Sequence, residues 1–357
     1  MPNGRVAKLR EALAKLGGEA MLVTNAVNRR YLTGFTGTSG IVLVTASEAA
    51  LLTDFRYREQ APQQAAGFDV VEHGTDMFGD AAALLRKWGV STLLFEEKDV
   101  NYATYLSLKE KLGGIELKTS GGAVEKIRMI KDEQELAIMQ EAVDVADRAF
   151  EHILSFIKPG VRETDIALEL EFFMRKQGAT GTSFDTIVAS GERSALPHGV
   201  ASERIVGHDE FVKLDYGAYY KGYCSDITRT VFVGTPTDKH REIYGIVLEA
   251  QQHALEHLRP GLSGREGDAL TRDVITRYGY GEYFGHGTGH GLGMEIHEAP
   301  RLSRTEDTIL TPGMTVTVEP GIYLPGFGGV RIEDDVVLTD DGIKILTRSP
   351  KELIVLD

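Results

Sequence analysis

Alternating helical and strand patterns occupy the first 120 residues of the chain. Residues 6–16 and 81–88 and Tyr102–Leu112 space their apolar side chains as amphipathic helices do. Short apolar runs predict strands at 21–23, 41–44, 50–53 and 92–95. This order of helices and strands predicts an α/β domain.

A glycine step follows this region and predicts a domain boundary. Gly121 and Gly122 come directly after Ser120, a composition typical of a linker. A chain of 357 residues is long for one core and sufficient for two. We therefore expect a first domain over residues 1–122 and a second over residues 123–357.

The second part of the chain repeats one pattern. A long helix with an apolar stripe is predicted over residues 136–157, and a second one over 238–258. Each ends at a Pro-Gly step and is followed by another helix and a hairpin-like segment. The hairpins contain Asp215-Tyr-Gly-Ala-Tyr219 and Glu319-Pro-Gly-Ile-Tyr323 at matching offsets. We interpret this as an internal duplication of helix, helix and hairpin, the alternative being coincidence among common turn residues.

The two hairpins aim carboxylates at one point. Because side chains alternate along a strand, Asp215 shares a face with Lys213, and Asp226 lies on the return strand. Glu319 and Glu333 take the corresponding positions in the second hairpin. Four carboxylates would therefore converge where the two halves meet.

Such a cluster needs cations. Two like charges about 4 Å apart repel by about 4 kcal/mol at an effective dielectric of about 20. Two divalent ions would balance four carboxylates, and the glycine-rich segment from Phe284 to Glu298 would supply an imidazole. Oxygen-rich ligation with one imidazole suits Mn²⁺, Co²⁺, Fe²⁺ or Zn²⁺.

Six motifs occur along the second part of the chain: Leu-Asp215-Tyr-Gly, Ser-Asp226-Ile-Thr-Arg-Thr, Gly-His286-Gly-Thr-Gly-His290-Gly, Glu-Ile-His297-Glu, Val-Glu319-Pro-Gly-Ile-Tyr and Val-Arg331-Ile-Glu333-Asp-Asp. In this order they resemble the pita-bread metallopeptidases, in particular the Xaa-Pro dipeptidase (prolidase) and Xaa-Pro aminopeptidase group. Residues 1–120 are similar to the creatinase-like N-terminal domain of that group through Asn28-Arg-Arg-Tyr-Leu-Thr-Gly34. The resemblance implies an α+β chain, in which a smaller α/β creatinase-like domain precedes a duplicated pita-bread catalytic domain.

The resemblance also implies metal ligands. Asp215 would chelate one metal, Asp226 and Glu333 would bridge both, and His290 and Glu319 would bind the other. A water or hydroxide between the two metals would attack the scissile carbonyl, since metal binding lowers its pKa towards about 7. Glu319 is also expected to shuttle a proton.

Further residues match catalytic positions of the family. His198 and His297 match histidines of the substrate cleft, where they would steady the tetrahedral intermediate or the leaving nitrogen. Arg331 would orient the bridging carboxylates, the alternative being a structural salt bridge. His286 matches a position that is not a ligand, and both a supporting role and loop packing stay open.

The expected function is metal-dependent cleavage of the Xaa-Pro bond at the N-terminus of dipeptides or short peptides with proline in second position. Two divalent ions per subunit are expected, Mn²⁺ first and Co²⁺, Zn²⁺ or Fe²⁺ as alternatives, in a homodimer. No motif decides between dipeptidase and aminopeptidase. The alternatives are a metal-free creatinase-like hydrolase and a non-catalytic pita-bread binding module, which lose the ligand set kept here. Methionine aminopeptidases usually lack a 120-residue N-terminal domain.

Composition and charge restrict the binding partners and the cellular location that can be expected. A net charge of −14 argues against nucleic acid or an anionic membrane, and no apolar run approaches the roughly 20 residues of a bilayer span. The single cysteine, Cys224, and a charged N-terminus without signal-peptide character favour the cytoplasm. His253 and His257 are interpreted as part of a polar helix face, and Asp334-Asp335 as a charged strand end.

Overall fold

The computed structural model describes residues 2–357, which form two compact units. One unit ends at Arg128 and the other begins at Met129. This division falls six residues after the predicted boundary at 122/123, because the helix Ala123–Arg128 packs against the N-terminal helix of the first unit.

Helices and strands alternate through the first unit. Its helices are α1 (Pro2–Leu16), α2 (Ala26–Thr33), α3 (Gln60–Gln64), α4 (Met77–Lys87), α5 (Tyr102–Leu112) and α6 (Ala123–Arg128). Its strands are β1 (Ala20–Val23), β2 (Ile41–Thr45), β3 (Ala49–Thr53), β4 (Asp69–Glu72), β5 (Thr92–Phe95) and β6 (Glu116–Thr119).

The strands form one mixed sheet in the order β4-β3-β2-β1-β5-β6. Strands β1, β2 and β3 are antiparallel, whereas β4, β5 and β6 each join a parallel neighbour. The predicted strands β1, β2, β3 and β5 are confirmed. β4 and β6 were not predicted, because neither strand contains more than two consecutive apolar residues.

The second unit contains the duplicated pattern. Its helices are α7 (Glu133–Ile153), α8 (Glu163–Lys176), α9 (Asp238–His257) and α10 (Gly264–Arg277), and a 3-10 helix spans Gly191–Ala195. Its strands are β7 (Gly181–Thr182), β8 (Ile187–Ser190), β9 (Glu210–Tyr216), β10 (Ala218–Tyr220), β11 (Tyr223–Cys224), β12 (Ile227–Val233), β13 (Gly289–Gly291), β14 (Glu298–Leu302), β15 (Thr315–Val318), β16 (Gly321–Leu324), β17 (Gly328–Arg331), β18 (Asp334–Leu338), β19 (Ile343–Ile345) and β20 (Val355–Leu356).

The same strand arrangement follows each helix pair. In the first half β9 pairs with β12 and a short hairpin, β10–β11, closes the turn. In the second half β15 pairs with β18, and β16–β17 closes the turn. The predicted duplicated pita-bread architecture and the α+β class are therefore confirmed.

Helix α7 shows why the predicted elements form. Asp132 accepts a hydrogen bond from the Glu135 amide and donates its own amide to the Glu135 carboxylate, which is a capping box. The predicted stripe, including Met139, Val143 and Phe150, is buried. Phe150 packs against the first strand pair, whereas Val143 packs against Val337 and Leu346. Burial of this stripe places the N-terminal helix of each half behind the strands that carry the acids.

Within residues 2–357, no helix has both the length and the apolar character that a bilayer crossing requires.

Candidate metal centre and substrate cavity

The residues predicted for the site meet at one cavity of the second unit. This cavity has a volume of about 520 Å³. The predicted residues that line it are Asp215, Asp226, His290, Glu319, Glu333, His198, His297 and Arg331.

The strands bring the acids together in two ways. In the first half Asp215 lies within β9 and Asp226 directly precedes β12. In the second half the strands break at the acids: Glu319 falls between β15 and β16, and Glu333 between β17 and β18. Period two predicts that Arg331, Glu333 and Asp335 share one side of a single return strand. This prediction is wrong, because the chain changes pairing partner from β16 to β15 at Glu333.

His290 reaches the acids from β13. The glycines at 285, 287, 289 and 291 predict a tight turn, but the structure has a short strand here, which lies between β14 and β15. A Cβ on Gly289 would lie 1.9 Å from the carbonyl oxygen of Thr317 on β15, which only a glycine permits. The glycine therefore allows the close approach that carries His290 to the carboxylates.

Three ligand-type side chains form the tightest group. Ligand atoms of Asp226, His290 and Glu333 lie within 4.8 Å of one another, and all three residues are buried. The Nδ1 atom of His290 lies 3.1 Å from the carbonyl oxygen of Gly291, so Nε2 faces the acids. That Nε2 lies 3.6 Å from Oδ2 of Asp226 and 3.5 Å from Oε1 of Glu319.

This donor set fits a divalent cation. Oδ1 of Asp226 is buried and has no hydrogen-bond partner among the described residues. Buried acceptors are normally paired, and a carboxylate oxygen left over beside an imidazole is a ligand-type atom. Tautomer selection by the Gly291 carbonyl is the usual arrangement of a metal-binding histidine.

The pKa values show that the buried acids do not readily carry their negative charges side by side. Burial, followed by repulsion from Glu333, raises the pKa of Asp226 well above its usual value. Burial and the charge of Glu319 raise the pKa of Glu333 in the same direction. Burial also raises the pKa of Glu319 to about 7, although Arg331 opposes this change. A bound cation would relieve this cost, because it favours the ionised carboxylates.

Asp215 is held differently from the other acids. The Nη2 atom of Arg331 contacts its Oδ2 in a buried ion pair. Asp215 lines the cavity but does not belong to the tight group of Asp226, His290 and Glu333. Arg331 thus contacts the carboxylate of Asp215, and its Nε lies 3.8 Å from Oε2 of Glu319.

The histidines take three different positions. His198 and His297 are exposed at the cavity, and the ring of His297 packs edge-on against that of His290 at 4.5 Å. His286 lies deeper, and Nε2 of its ring is 2.7 Å from the hydroxyl of Tyr323. Burial lowers the pKa of His286 to about 3, so this ring stays neutral.

Several supporting residues were not predicted. Asp335 is fully buried and accepts the backbone amide of Asp226 at 2.9 Å, so its interpretation as part of a charged strand end is wrong. Thr228 donates its hydroxyl to Oε2 of Glu333 at 2.6 Å. Its place on the Asp226 strand, two residues along, was a usable signal.

Another residue, Arg301, lines the cavity and was also not predicted. It follows His297 by four residues on β14, and it is exposed. Its charge lowers the pKa of His297, after the effect of burial. Sequence patterns gave no reason to separate it from other exposed arginines.

Comparison with known families agrees with this geometry. The profile of metallopeptidase family M24 matches residues 137–340, and the creatinase/prolidase N-terminal domain matches residues 5–130. The chain belongs to metallopeptidase family M24. It is therefore an enzyme of the metal-dependent peptidase type, and the family and the acid–histidine group together indicate use of a divalent metal.

Three solved structures superpose over 97–100% of this chain. An Xaa-Pro dipeptidase from Bacillus anthracis is 55% identical with a TM-score of 0.98, and each chain is covered completely. The prolidase from Pyrococcus horikoshii is 40% identical with a TM-score of 0.93, over 98% of this chain and 100% of the other. An X-Pro aminopeptidase from Thermotoga maritima is 40% identical with a TM-score of 0.91, over 97% of this chain and 100% of the other.

Proposed function

We propose that this M24 chain cleaves the Xaa-Pro bond of dipeptides and short peptides with two divalent ions, of which Mn²⁺ is the first choice. The observation that carries the proposal is the buried group of Asp226, His290 and Glu333 at the floor of a peptide-sized cavity. The names of the relatives, Xaa-Pro dipeptidase, prolidase and X-Pro aminopeptidase, support the proline specificity.

Five residues would hold the ions: Asp215, Asp226, His290, Glu319 and Glu333. Bound divalent ions would polarise the scissile carbonyl and lower the pKa of the attacking water. Arg331 limits the negative charge at Asp215, which it contacts. The carboxylate of Asp215 would therefore be neutralised partly by Arg331 and partly by a bound ion.

Protein side chains would carry the proton and orient the peptide. Glu319, with its pKa near 7 in the metal-free protein, lies at the cavity and is the group that would move a proton from water to the leaving nitrogen. The exposed rings of His198 and His297 would donate hydrogen bonds to oxygens of the peptide as charge develops on them. His286 and Arg331 both form hydrogen bonds with the hydroxyl of Tyr323.

Substrate length would depend on Arg301. Arg301 is exposed where it lines the cavity, and the planar donor fork of its guanidinium matches a carboxylate. We therefore infer that it binds the free carboxylate of a C-terminal proline. A peptide that continues beyond proline would lack this partner at the same position.

The test compares Ala-Pro, Ala-Pro-Ala, Ala-Pro-amide and Ala-Ala with Mn²⁺, Co²⁺ and Zn²⁺ in turn. We expect the highest kcat/KM for Ala-Pro with Mn²⁺. Proline specificity fails if Ala-Ala is cleaved as fast as Ala-Pro. The preference for dipeptides fails if Ala-Pro-Ala is cleaved as fast as Ala-Pro.

An Arg301→Met variant tests the carboxylate partner. Loss of charge-assisted hydrogen bonds should raise KM for Ala-Pro by roughly 10- to 100-fold. The matched control is Ala-Pro-amide, which has no carboxylate, and whose KM should not change. An equal rise for both substrates would contradict the role of Arg301.

A further inference from the structure

A buried lysine lies beneath the segment that carries His198. The side chain of Lys213 is fully buried, and its Nζ lies 3.1 Å from the carbonyl oxygen of Ser194. The same Nζ lies 2.5 Å from the carbonyl oxygen of Leu196 and 3.4 Å from that of Pro197. An ammonium group has three N–H donors and no acceptor. The three carbonyls therefore match its complete donor set.

The segment is held through its backbone more than through its side chains. Leu196, His198 and Val200 all expose their side chains, Leu196 by 49% and Val200 by 47%. Packing of these three side chains therefore contributes little to the position of the segment. The carbonyl oxygen of Pro197, directly before His198, accepts from Lys213 and also from Nη1 of Arg331 at 3.0 Å.

Lys213 is at the same time part of the strand that carries an acid of the metal centre. It precedes Asp215 by two residues in β9, so both side chains point to the same face. Arg331 joins the same two features, because it contacts Asp215 and donates to Pro197. Strand β9 and Arg331 thus connect the acids to the backbone of the His198 segment.

The charge of Lys213 makes this position costly. Burial, followed by the nearby charge of Arg331, lowers the pKa of Lys213 well below its usual value. A methionine of similar length would fill the space without this desolvation cost. What methionine cannot do is donate to the three carbonyls, so the contribution of the lysine lies in its donor group.

We propose that Lys213 is a positioning residue, which fixes the backbone turn at Ser194–Pro197 and thereby sets the place of His198 at the cavity. The proposal rests on the role of His198 given under the proposed function. It predicts that loss of Lys213 affects turnover only through His198.

A double-mutant cycle on the Mn²⁺-loaded full-length protein tests this, with Ala-Pro as substrate. Lys213→Met should lower kcat by about 10- to 100-fold, since a displacement of about 1 Å can have this effect. Its bound manganese content should equal that of the wild type. In the His198→Ala background, Lys213→Met should lower kcat by no more than about twofold further, because effects that act through one group are not additive.

Lys213→Gln is the matched second variant, since its amide keeps two of the three donors. It should retain more turnover than Lys213→Met, and its remaining loss should disappear in the His198→Ala background. If Lys213→Met does not fold, the cycle with Lys213→Gln decides the question alone.

The outcomes distinguish the role of His198 from the positioning role of Lys213. If His198→Ala turns over as fast as the wild type, the role of His198 in the proposed function is wrong. If His198→Ala is impaired and the loss from Lys213 is fully additive, only the positioning role is wrong. A Lys213→Met protein with normal kcat would also contradict the positioning role.

Discussion

At the scale of single residues, the carboxylates decide whether the metal centre forms. Glu333 offers a carboxylate oxygen to the group with Asp226 and His290, and its Oε2 accepts a hydrogen bond from Thr228. We expect Glu333→Gln to lower kcat/KM for Ala-Pro by at least about 100-fold, the upper range for loss of a residue that supports metal binding. Initial rates measure this loss, and mass spectrometry measures the metal content of the variant. Asp341→Asn, an exposed acid on a turn, is the control and should behave as the wild type.

The pKa of Glu319 predicts how pH acts on the metal-free protein. Glu319 has a folded pKa of about 7, above its unfolded value of about 4.5, so it contributes stability below about pH 4.5 that is lost between about pH 4.5 and 7. His286 and His290, with pKa values lowered to about 3 and 4, change stability in the opposite direction over this range, but both are present in the wild type and in Glu319→Gln. Chelated wild type should therefore lose up to about 3 kcal/mol of stability relative to chelated Glu319→Gln between about pH 4.5 and 7.

Melting temperatures of chelated and Mn²⁺-loaded protein over this pH range measure the effect. The loaded protein should not show the decline, because the cation favours the ionised form of Glu319. Chelated Glu319→Gln is the reference for the chelated wild type at each pH. A difference in stability between these two proteins that stays constant from about pH 4.5 to 7 would contradict the assignment.

Residue identity alone predicted the acids better than their partners. The motifs located Asp226 and Glu333, and both are buried at the cavity. They did not reveal that Asp335 would be fully buried beneath Asp226, because a pair of aspartates usually lies in water. The common face of Lys213 and Asp215 was predicted, but the partners of Lys213 were not, since they are carbonyls of a distant segment that carry no sequence signal.

At the scale of elements, strand alternation was sufficient for the first half of the site and insufficient for the second. Strands β9 and β12 pair without interruption through seven residue pairs, so the predicted faces hold. In the second half the pairing changes at Glu319 and Glu333, where period two no longer applies. A change of pairing partner depends on contacts between distant segments, which a local pattern does not contain.

Close packing of β13 against β15 gives a prediction at this scale. A Cβ on Gly289 would lie 1.9 Å from a backbone oxygen of β15, so Gly289→Ala must separate the strands next to His290 and Glu319. We expect a loss of about 1–3 kcal/mol in stability, as in other overpacked sites, together with weaker Mn²⁺ binding. Chemical denaturation and metal titration measure the two effects.

Gly285→Ala is the matched control in the same glycine-rich segment. A Cβ on Gly285 would meet nothing within 4 Å, so stability should change by less than about 0.5 kcal/mol. Equal losses of stability in both variants would mean that general stiffening of the segment, and not the contact with Thr317, causes the loss.

At the scale of the whole molecule, all the predicted site residues belong to the second unit. The first unit, through Arg128, has its own mixed sheet and its own apolar core, which includes Leu22, Leu43 and Leu93. A cation bound by Asp226 and Glu333 should stabilise the unit that binds it, because a ligand adds stability only to the structure it contacts.

Hydrogen exchange with and without chelator resolves this by segment. Removal of metal should speed amide exchange in β12, β13, β15 and β18, which flank the acids and His290, and melting should shift to lower temperature. Strands β1, β2 and β3 should exchange at the same rate in both states, and they serve as the internal control. An equal increase in both units would show that the cation supports the chain globally. An increase confined to the first unit would mean that the metal binds somewhere other than the group of Asp226, His290 and Glu333.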